Sequence, residues 1–274
     1  MLQTASNTRS ETHGKFIWCE LITSDTKAAG DFYSTVIGWK VNEMSMPGET
    51  GSMPAYFLFE MGEGDNCPGI GGMMDFPPEL EGKLPPNWTG YVAVDDVDQT
   101  CRDYVAHGGH VQREPDDIPG VGRFAVVADP HGAVLCIMTP IPPENPPREL
   151  AATDPGNVGW RELYAGDGDE AFQFYAKIFG WTKSHDVDMG PMGAYRIFAH
   201  GGEITGGMMT RPEGVPVPCW CYYFNVEAID AAIERVTAGG GEIVNGPVEV
   251  PGGNWIVQAL DPQGAFFSLT AAKR

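Results

Sequence analysis

Two carboxylates stand in matching surroundings: Trp18-Cys19-Glu20-Leu21 and, 142 residues later, Trp160-Arg161-Glu162-Leu163. Side chains alternate along an extended segment, so Trp18 and Glu20 face one way, as do Trp160 and Glu162. Desolvation disfavours the charged form of an acid beside an indole on an apolar wall, which suits a general base or a hydrogen-bonding anchor. Glu20 and Glu162 are therefore the candidate catalytic groups. A fold role competes with that reading, because a neighbouring backbone N–H or an arginine would also satisfy a repeated acid.

The other reactive side chains give weaker signals. The six cysteines (19, 67, 101, 136, 219 and 221) include no C-x-x-C pair, and most do not recur between the copies, which argues against a disulfide framework or structural zinc. Cys221, flanked by Cys219 and by Tyr222-Tyr223, is expected to be a buried inert thiol, since no His or Lys lies near it in the chain to activate it. The Gly-Gly-Met-Met segments at 71–74 and 206–209 lack phosphate-loop spacing and read as packing at a seam. A formal charge of −20 with 17 basic residues repels a phosphate backbone, so nucleic acid is excluded as a partner. No apolar run approaches the roughly 20 residues of a membrane span, and the polar start from Met1 to Lys15 lacks the apolar stretch of a secretory signal. The expected location is the cytoplasm.

The elements that must position the two acids are also written twice. Between Trp18–Trp39 and Trp160–Trp181, nine of 22 aligned positions are identical. Tyr56 returns as Tyr195, Trp88 as Trp220, and Asp129-Pro130-His131-Gly132-Ala133 as Asp261-Pro262-Gln263-Gly264-Ala265. In the first copy, Phe16 to Thr23 reads as a strand. Thr26 to Ile37 has apolar residues at helical spacing and stops at Gly38. Three short strands follow, near 39–44, 55–60 and 69–75. The same order then begins again, with a strand from Thr89 to Val94, a helix from Val97 to His107, and strands near 110–113, 123–128 and 133–139. Each copy therefore holds two βαβββ units, four in all. A Pro-rich connector, Ile141-Pro142-Pro143-Glu144-Asn145-Pro146-Pro147, lies between the copies. The reading is α+β: a flexible start at 1–14, a first domain at 15–140, a linker at 141–156 and a second domain at 157–272.

Paired βαβββ units with a D-x-x-x-A-x-x-F-Y…G-W start and a D-P-x-G-A finish resemble the vicinal oxygen chelate superfamily, which includes glyoxalase I, bleomycin-resistance proteins and extradiol dioxygenases. The double-length form is similar to the tandem glyoxalase-like proteins of actinobacteria. The resemblance implies that each pair of units curls mixed sheets around a concave pocket. It also implies that the superfamily's metal enzymes place His or Glu at three strand positions, which here fall on Trp18 and Trp160, Thr89 and Cys221, and Cys136 and Ser268. None is a His or a carboxylate, and an indole donates nothing to a cation. No cofactor is expected, although a divalent metal site rebuilt elsewhere stays open.

The indoles Trp18, Trp88, Trp160, Trp220 and Trp255 are candidate pocket walls for a planar ligand, joined by Thr89, Tyr91, Arg123, Cys136, Cys221, Tyr223 and Ser268. Small-molecule pockets are mostly apolar with a few polar anchors. Plugging of a vestigial pocket is the competing role for the same indoles. Arg123 aligns with Trp255 and Thr89 with Cys221, so the two pockets differ chemically. The expected function is metal-independent binding of a small hydrophobic or aromatic molecule. The alternative is a glyoxalase-like lyase, isomerase or hydroxylase-like enzyme in which Glu20 or Glu162 moves a proton. Monomer and homodimer both remain open.

Overall fold

The computed structural model describes residues 9–44, 55–62 and 67–274. The first repeat supplies β1 (Phe16–Thr23), α1 (Thr26–Val36), β2 (Lys40–Met44), β3 (Tyr56–Glu60), β4 (Gly69–Asp75), β5 (Asn87–Ala93), α2 (Val97–Ala106), β6 (His110–Ile118), β7 (Gly122–Ala128) and β8 (Val134–Pro140). The second supplies β9 (Val158–Ala165), α3 (Gly168–Phe179), β10 (Thr182–Asp188), β11 (Ala194–His200), β12 (Glu203–Thr210), β13 (Cys219–Asn225), α4 (Ile229–Ala238), β14 (Glu242–Glu249), β15 (Trp255–Leu260) and β16 (Phe266–Ala271). Two eight-stranded mixed sheets result, ordered β2-β3-β4-β1-β5-β8-β7-β6 and β10-β11-β12-β9-β13-β16-β15-β14. The four predicted βαβββ units are therefore present. None of the described helices is long and apolar enough to cross a membrane.

The repeated motif residues build the fold. Asp25 and Asp167 cap α1 and α3 by accepting from the backbone N–H groups of Ala28 and of Asp169 and Glu170; such caps contribute about 1 kcal/mol each. Gly180 ends α3 at φ 76° and Gly38 follows α1 at φ 96°, a left-handed conformation that glycine adopts without a Cβ clash. Trp39 and Trp181 are buried and donate from Nε1 to the carbonyls of Gly156 and Gly14.

Compact packing divides the chain into two units, each drawing on both repeats: Met1–Ile17, Tyr91–Ile141 and Ala165–Pro218 form one, and Trp18–Gly90, Pro142–Tyr164 and Cys219–Arg274 the other. In the first unit α2 packs on β6, β7, β8 and α3. There the Tyr175 hydroxyl donates to Asp129 Oδ2 at 3.2 Å, and Trp181 stacks on Phe198 with centroids 4.4 Å apart. In the second unit α1 packs on α4. The Tyr33 hydroxyl donates to Asp261 Oδ2 at 3.0 Å and accepts from Trp88 Nε1 at 2.9 Å, amid Trp39, Phe59 and Phe267.

These bonds explain why D-P-x-G-A recurs. Oδ1 of Asp129 accepts from the N–H groups of His131 and Ala133, and Oδ1 of Asp261 from those of Gln263 and Ala265. The other oxygen of each takes the tyrosine of the opposite repeat.

The start of the chain departs from expectation over residues 9–14. Ser10 hydroxyl and N–H bond Asp95, His13 is buried with Nε2 3.0 Å from the Ile178 carbonyl, and the Gly14 N–H reaches the Ala93 carbonyl. Those partners lie far along the chain, so local composition did not reveal them.

Candidate functional site

β9 and β13 run antiparallel in a register that sets Cys219 opposite Tyr164, Cys221 opposite Glu162 and Tyr223 opposite Trp160. Alternation then gathers Trp160, Glu162, Tyr164, Cys219, Cys221 and Tyr223 on one face of the sheet. Parallel pairing of β13 with β16 places Ser268 beside Tyr223, and β15 brings Gln258 beside Ser268. Glu162 and its sequence-predicted neighbours Trp160, Cys221, Tyr223 and Ser268 thus converge.

The polar groups of this face form a closed ring. Tyr223 donates its hydroxyl to Glu162 Oε2 at 2.6 Å, and Tyr164 is hydrogen-bonded to the same carboxylate. Gln258 Nε2 spends its two protons on the two phenol oxygens, at 2.9 Å to Tyr164 and 2.8 Å to Tyr223. Asn245 Nδ2 donates to Gln258 Oε1 at 3.1 Å, which fixes the amide orientation. Donors therefore point along one direction, from Asn245 through Gln258 and the tyrosines to Glu162. The acid is 7 % exposed and Tyr223 3 %. Burial pushes the Tyr223 and Tyr164 hydroxyls well up, and the charge of Glu162 pushes them further. Two phenol donors on one buried carboxylate fix its orientation.

The first repeat holds its acid differently. Glu20 and Trp18, both half-buried, meet Tyr56: Trp18 Nε1 donates to the Tyr56 hydroxyl at 2.9 Å, and that hydroxyl is hydrogen-bonded to Glu20. Gly72 makes room for the ring, since a Cβ there would lie 2.1 Å from the Tyr56 oxygen. Thr89 donates to Asn87 Oδ1 at 3.0 Å. Tyr91 and Cys136, buried and paired across β5 and β8, sit with Phe124 and Val126. Where the second repeat has Tyr164, Gln258 and Asn245, the first has Ile22, Val126 and Arg113, so the amide–phenol relay belongs to the second repeat alone.

Four predicted wall residues lie elsewhere. Trp88 is buried against Tyr33, Trp39, Phe59 and Phe224, one residue out of phase with Thr89. Trp220, 6 % exposed, pairs with fully buried Leu163 on the face opposite Cys221. Arg123 is bound by Asp98 at 2.7 and 3.0 Å and by Asp117 at 3.0 Å, and Asp98 lies in the first turn of α2, so this guanidinium serves the helix side. Trp255 lies under the guanidinium of Arg274, 5.0 Å from its ring centre, while Arg274 bonds Asp230 of α4. Tyr164, Gln258, Asn245, Cys219 and Tyr56 are the site groups that sequence reasoning missed. Tyr164 was within reach, two residues past Glu162 on the same strand, and Gln258 is the one polar residue in Ile256–Leu260.

The three inherited ligand positions do not fit a divalent cation. In the second repeat they present an indole, a hydroxyl and a thiol, and Cys221 is pushed far above an ordinary thiol by its hydrogen bond with Cys219 and by burial, away from the thiolate that a metal needs. Ser268 Oγ, fully buried, has no hydrogen-bond partner. No group of three or more His, Cys, Asp or Glu converges to hold a metal among the described residues.

Tandem eight-stranded mixed sheets of this topology form a superfamily scaffold. The profile of the Glyoxalase/Bleomycin resistance protein/Dioxygenase superfamily matches residues 15–137 and 157–269. The chain belongs to that superfamily. It is 32 % identical over 256 residues to the Mycobacterium tuberculosis protein named "Putative glyoxylase CFP32", covering 92 % of each chain. It is 32 % identical over 262 residues to the Streptomyces peucetius "Anthracycline biosynthesis protein DnrV", covering 92 % of this chain and 91 % of that one. The fold is shared with the Mn(II)-bound glyoxalase from Novosphingobium aromaticivorans, at TM-score 0.62, 17 % identity, 97 % coverage of this chain and 84 % of the other. It is shared also with the 2,3-dioxygenase LapB from Pseudomonas sp. KL28, at TM-score 0.64, 13 % identity and coverages of 97 % and 94 %.

Proposed function

We propose that the second-repeat site binds a small, planar aromatic molecule bearing a hydroxyl, without a metal, and that Glu162 accepts the hydrogen bond of that hydroxyl. The observation that carries this reading is the ring of Glu162, Tyr164, Tyr223 and Gln258 on the strand face that also carries Trp160. Two phenols hold the carboxylate in place before the ligand arrives, and the indole supplies a flat apolar wall. A relative named for anthracycline biosynthesis favours an aromatic ligand. The first-repeat group of Trp18, Glu20 and Tyr56 is a second, chemically different pocket of the same ancestry.

A catalytic role for Glu162 is the second reading, favoured by the 2.6 Å bond from Tyr223. A carboxylate so placed takes a proton from a ligand hydroxyl or carbon, which leaves the negative charge on the ligand, while the phenols keep the carboxylate oriented. Titration of an anthracycline into the protein, followed by tryptophan fluorescence, separates these readings. Glu162→Gln is expected to weaken binding roughly 10- to 100-fold, the worth of one hydrogen bond to a charged group. Chelation of divalent cations is expected to leave affinity unchanged. Affinity lost on chelation and restored by a cation refutes metal-independent binding, and a change in ligand mass during incubation moves the assignment to the enzyme.

A further inference from the structure

A groove of about 660 Å³ runs between α2 and the edge strand β6, within the size range of small-molecule sites. Its helix wall includes Cys101, Arg102 and Val105, three and four residues apart and so on one face; its strand wall includes Val111, Glu114 and Pro115. Val105, 58 % exposed, leaves apolar surface uncovered there. A β-bulge shapes the other side. Arg113 pairs with Val126 and Asp116 with Phe124, so Glu114 and Pro115 together oppose the single residue Ala125. Bulges re-aim side chains, and this one brings Glu114 to the groove. Its charge reaches the helix: burial first, and Glu114 second, push the Cys101 thiol up to about 11.

The neighbouring acids are matched, Asp98 and Asp117 by Arg123 and Asp116 by Arg113. Two charges lining the groove are not. Glu114 makes no ion pair or hydrogen bond among the described residues, and Arg102 donates only to the neutral amide oxygen of Gln99, at 2.8 and 3.2 Å. Opposite charges on the two walls, with apolar surface between them, are complementary to a molecule that carries both signs itself. In the second repeat Glu234 and Gly246 stand in place of Arg102 and Glu114, so this charge pair belongs to the first repeat.

We propose that this groove binds small zwitterions with an apolar side chain, the chemistry of a free aromatic or aliphatic amino acid. Arg102 takes the carboxylate, for which the planar guanidinium fork is suited, and Glu114 takes the ammonium. Val105 and Val111 cover the apolar side chain. The site is independent of what binds at Glu162.

The test is titration of the isotopically labelled full chain with L-phenylalanine, with phenethylamine, which lacks the carboxylate, and with 3-phenylpropionate, which lacks the ammonium, followed by backbone amide shifts. Saturable shifts concentrated in residues 98–115 are expected, with a dissociation constant for L-phenylalanine on the order of 1 mM. Each single-charge compound is expected to bind roughly threefold to fivefold more weakly, the worth of one ion pair near the surface. Arg102→Gln is expected to weaken L-phenylalanine by that factor and leave phenethylamine unchanged. Glu114→Gln is expected to weaken it likewise and leave 3-phenylpropionate unchanged. Ala106→Trp, at an exposed position lining the groove, fills it without touching the core and is expected to abolish binding of all three. Equal affinity for the three compounds overturns the proposal, as do shifts scattered over the acidic surface or no saturable shift in this region. A charge variant that weakens all three alike, or an Ala106→Trp variant that binds as the parent does, overturns it too.

Discussion

Tyr223→Phe deletes one oxygen from the ring around Glu162 and leaves the packing volume almost unchanged. In the parent that oxygen donates to Glu162 at 2.6 Å and accepts from Gln258 at 2.8 Å. The first is a hydrogen bond to a charged group, worth about 1.5–3 kcal/mol, and the second a neutral one worth about 1 kcal/mol. Because both partners stay buried, water does not replace either bond, and the expected loss of stability is about 2.5–4 kcal/mol. At roughly 2 °C or more per kcal/mol for a chain of this length, melting falls by roughly 5–10 °C. Urea denaturation of parent, Tyr223→Phe, Glu162→Gln and the double variant gives both the loss and the coupling between the two side chains. A coupling of about 1 kcal/mol or more is expected for residues in direct contact. A single-variant loss below about 0.5 kcal/mol, the ordinary scatter of surface changes, or strict additivity in the double variant refutes the ring.

Two further outcomes follow from where the indoles and the charges lie. Trp88→Ala removes a buried core ring and is expected to cost about 3–5 kcal/mol; Trp160→Ala is expected to lower ligand affinity with a smaller stability change, both read by denaturation and fluorescence titration. Equal stability losses in the two variants contradict the assignment of Trp88 to the core and Trp160 to the site. The Arg123 guanidinium beside Asp98 holds that carboxyl below its ordinary value. A depressed folded value means that Asp98 stabilises the fold above about pH 4, the unfolded range, and that this is lost as pH falls through the depressed value. Asp98→Asn is expected to flatten the acid limb of the stability–pH curve, and an unaltered limb refutes the pairing.

Much of the scaffold was legible because its determinants are local. Asp25 and Asp167 announce caps, Gly38 and Gly180 announce helix ends, and the alternation through Trp18 and Glu20 orients β1. Four of the candidate wall residues lie off the strand faces that carry Glu162 or its counterpart. Trp88, Trp220, Arg123 and Trp255 are each one residue from Thr89, Cys221, Phe124 and Ile256, so strand alternation turns them to the other face. The ring was not legible. Glu162, Tyr223, Asn245 and Gln258 sit on four different strands, and only the register of β9, β13, β16, β15 and β14 brings them together. The asymmetry between repeats was partly visible in Thr89 against Cys221, but Val126 against Gln258 acquires meaning only beside a neighbouring phenol.

The bonds Tyr33–Asp261 and Tyr175–Asp129 are reciprocal between the repeats. A polypeptide half as long would hold the donor and the acceptor of each bond in one molecule yet satisfy neither without a second molecule, and a two-fold pair would complete both at once. Joined by the Pro-rich connector, the two repeats complete both bonds within one chain, without the need to meet a second molecule. Halves held in one chain are free to differ, and one has Ile22 and Val126 where the other has Tyr164 and Gln258.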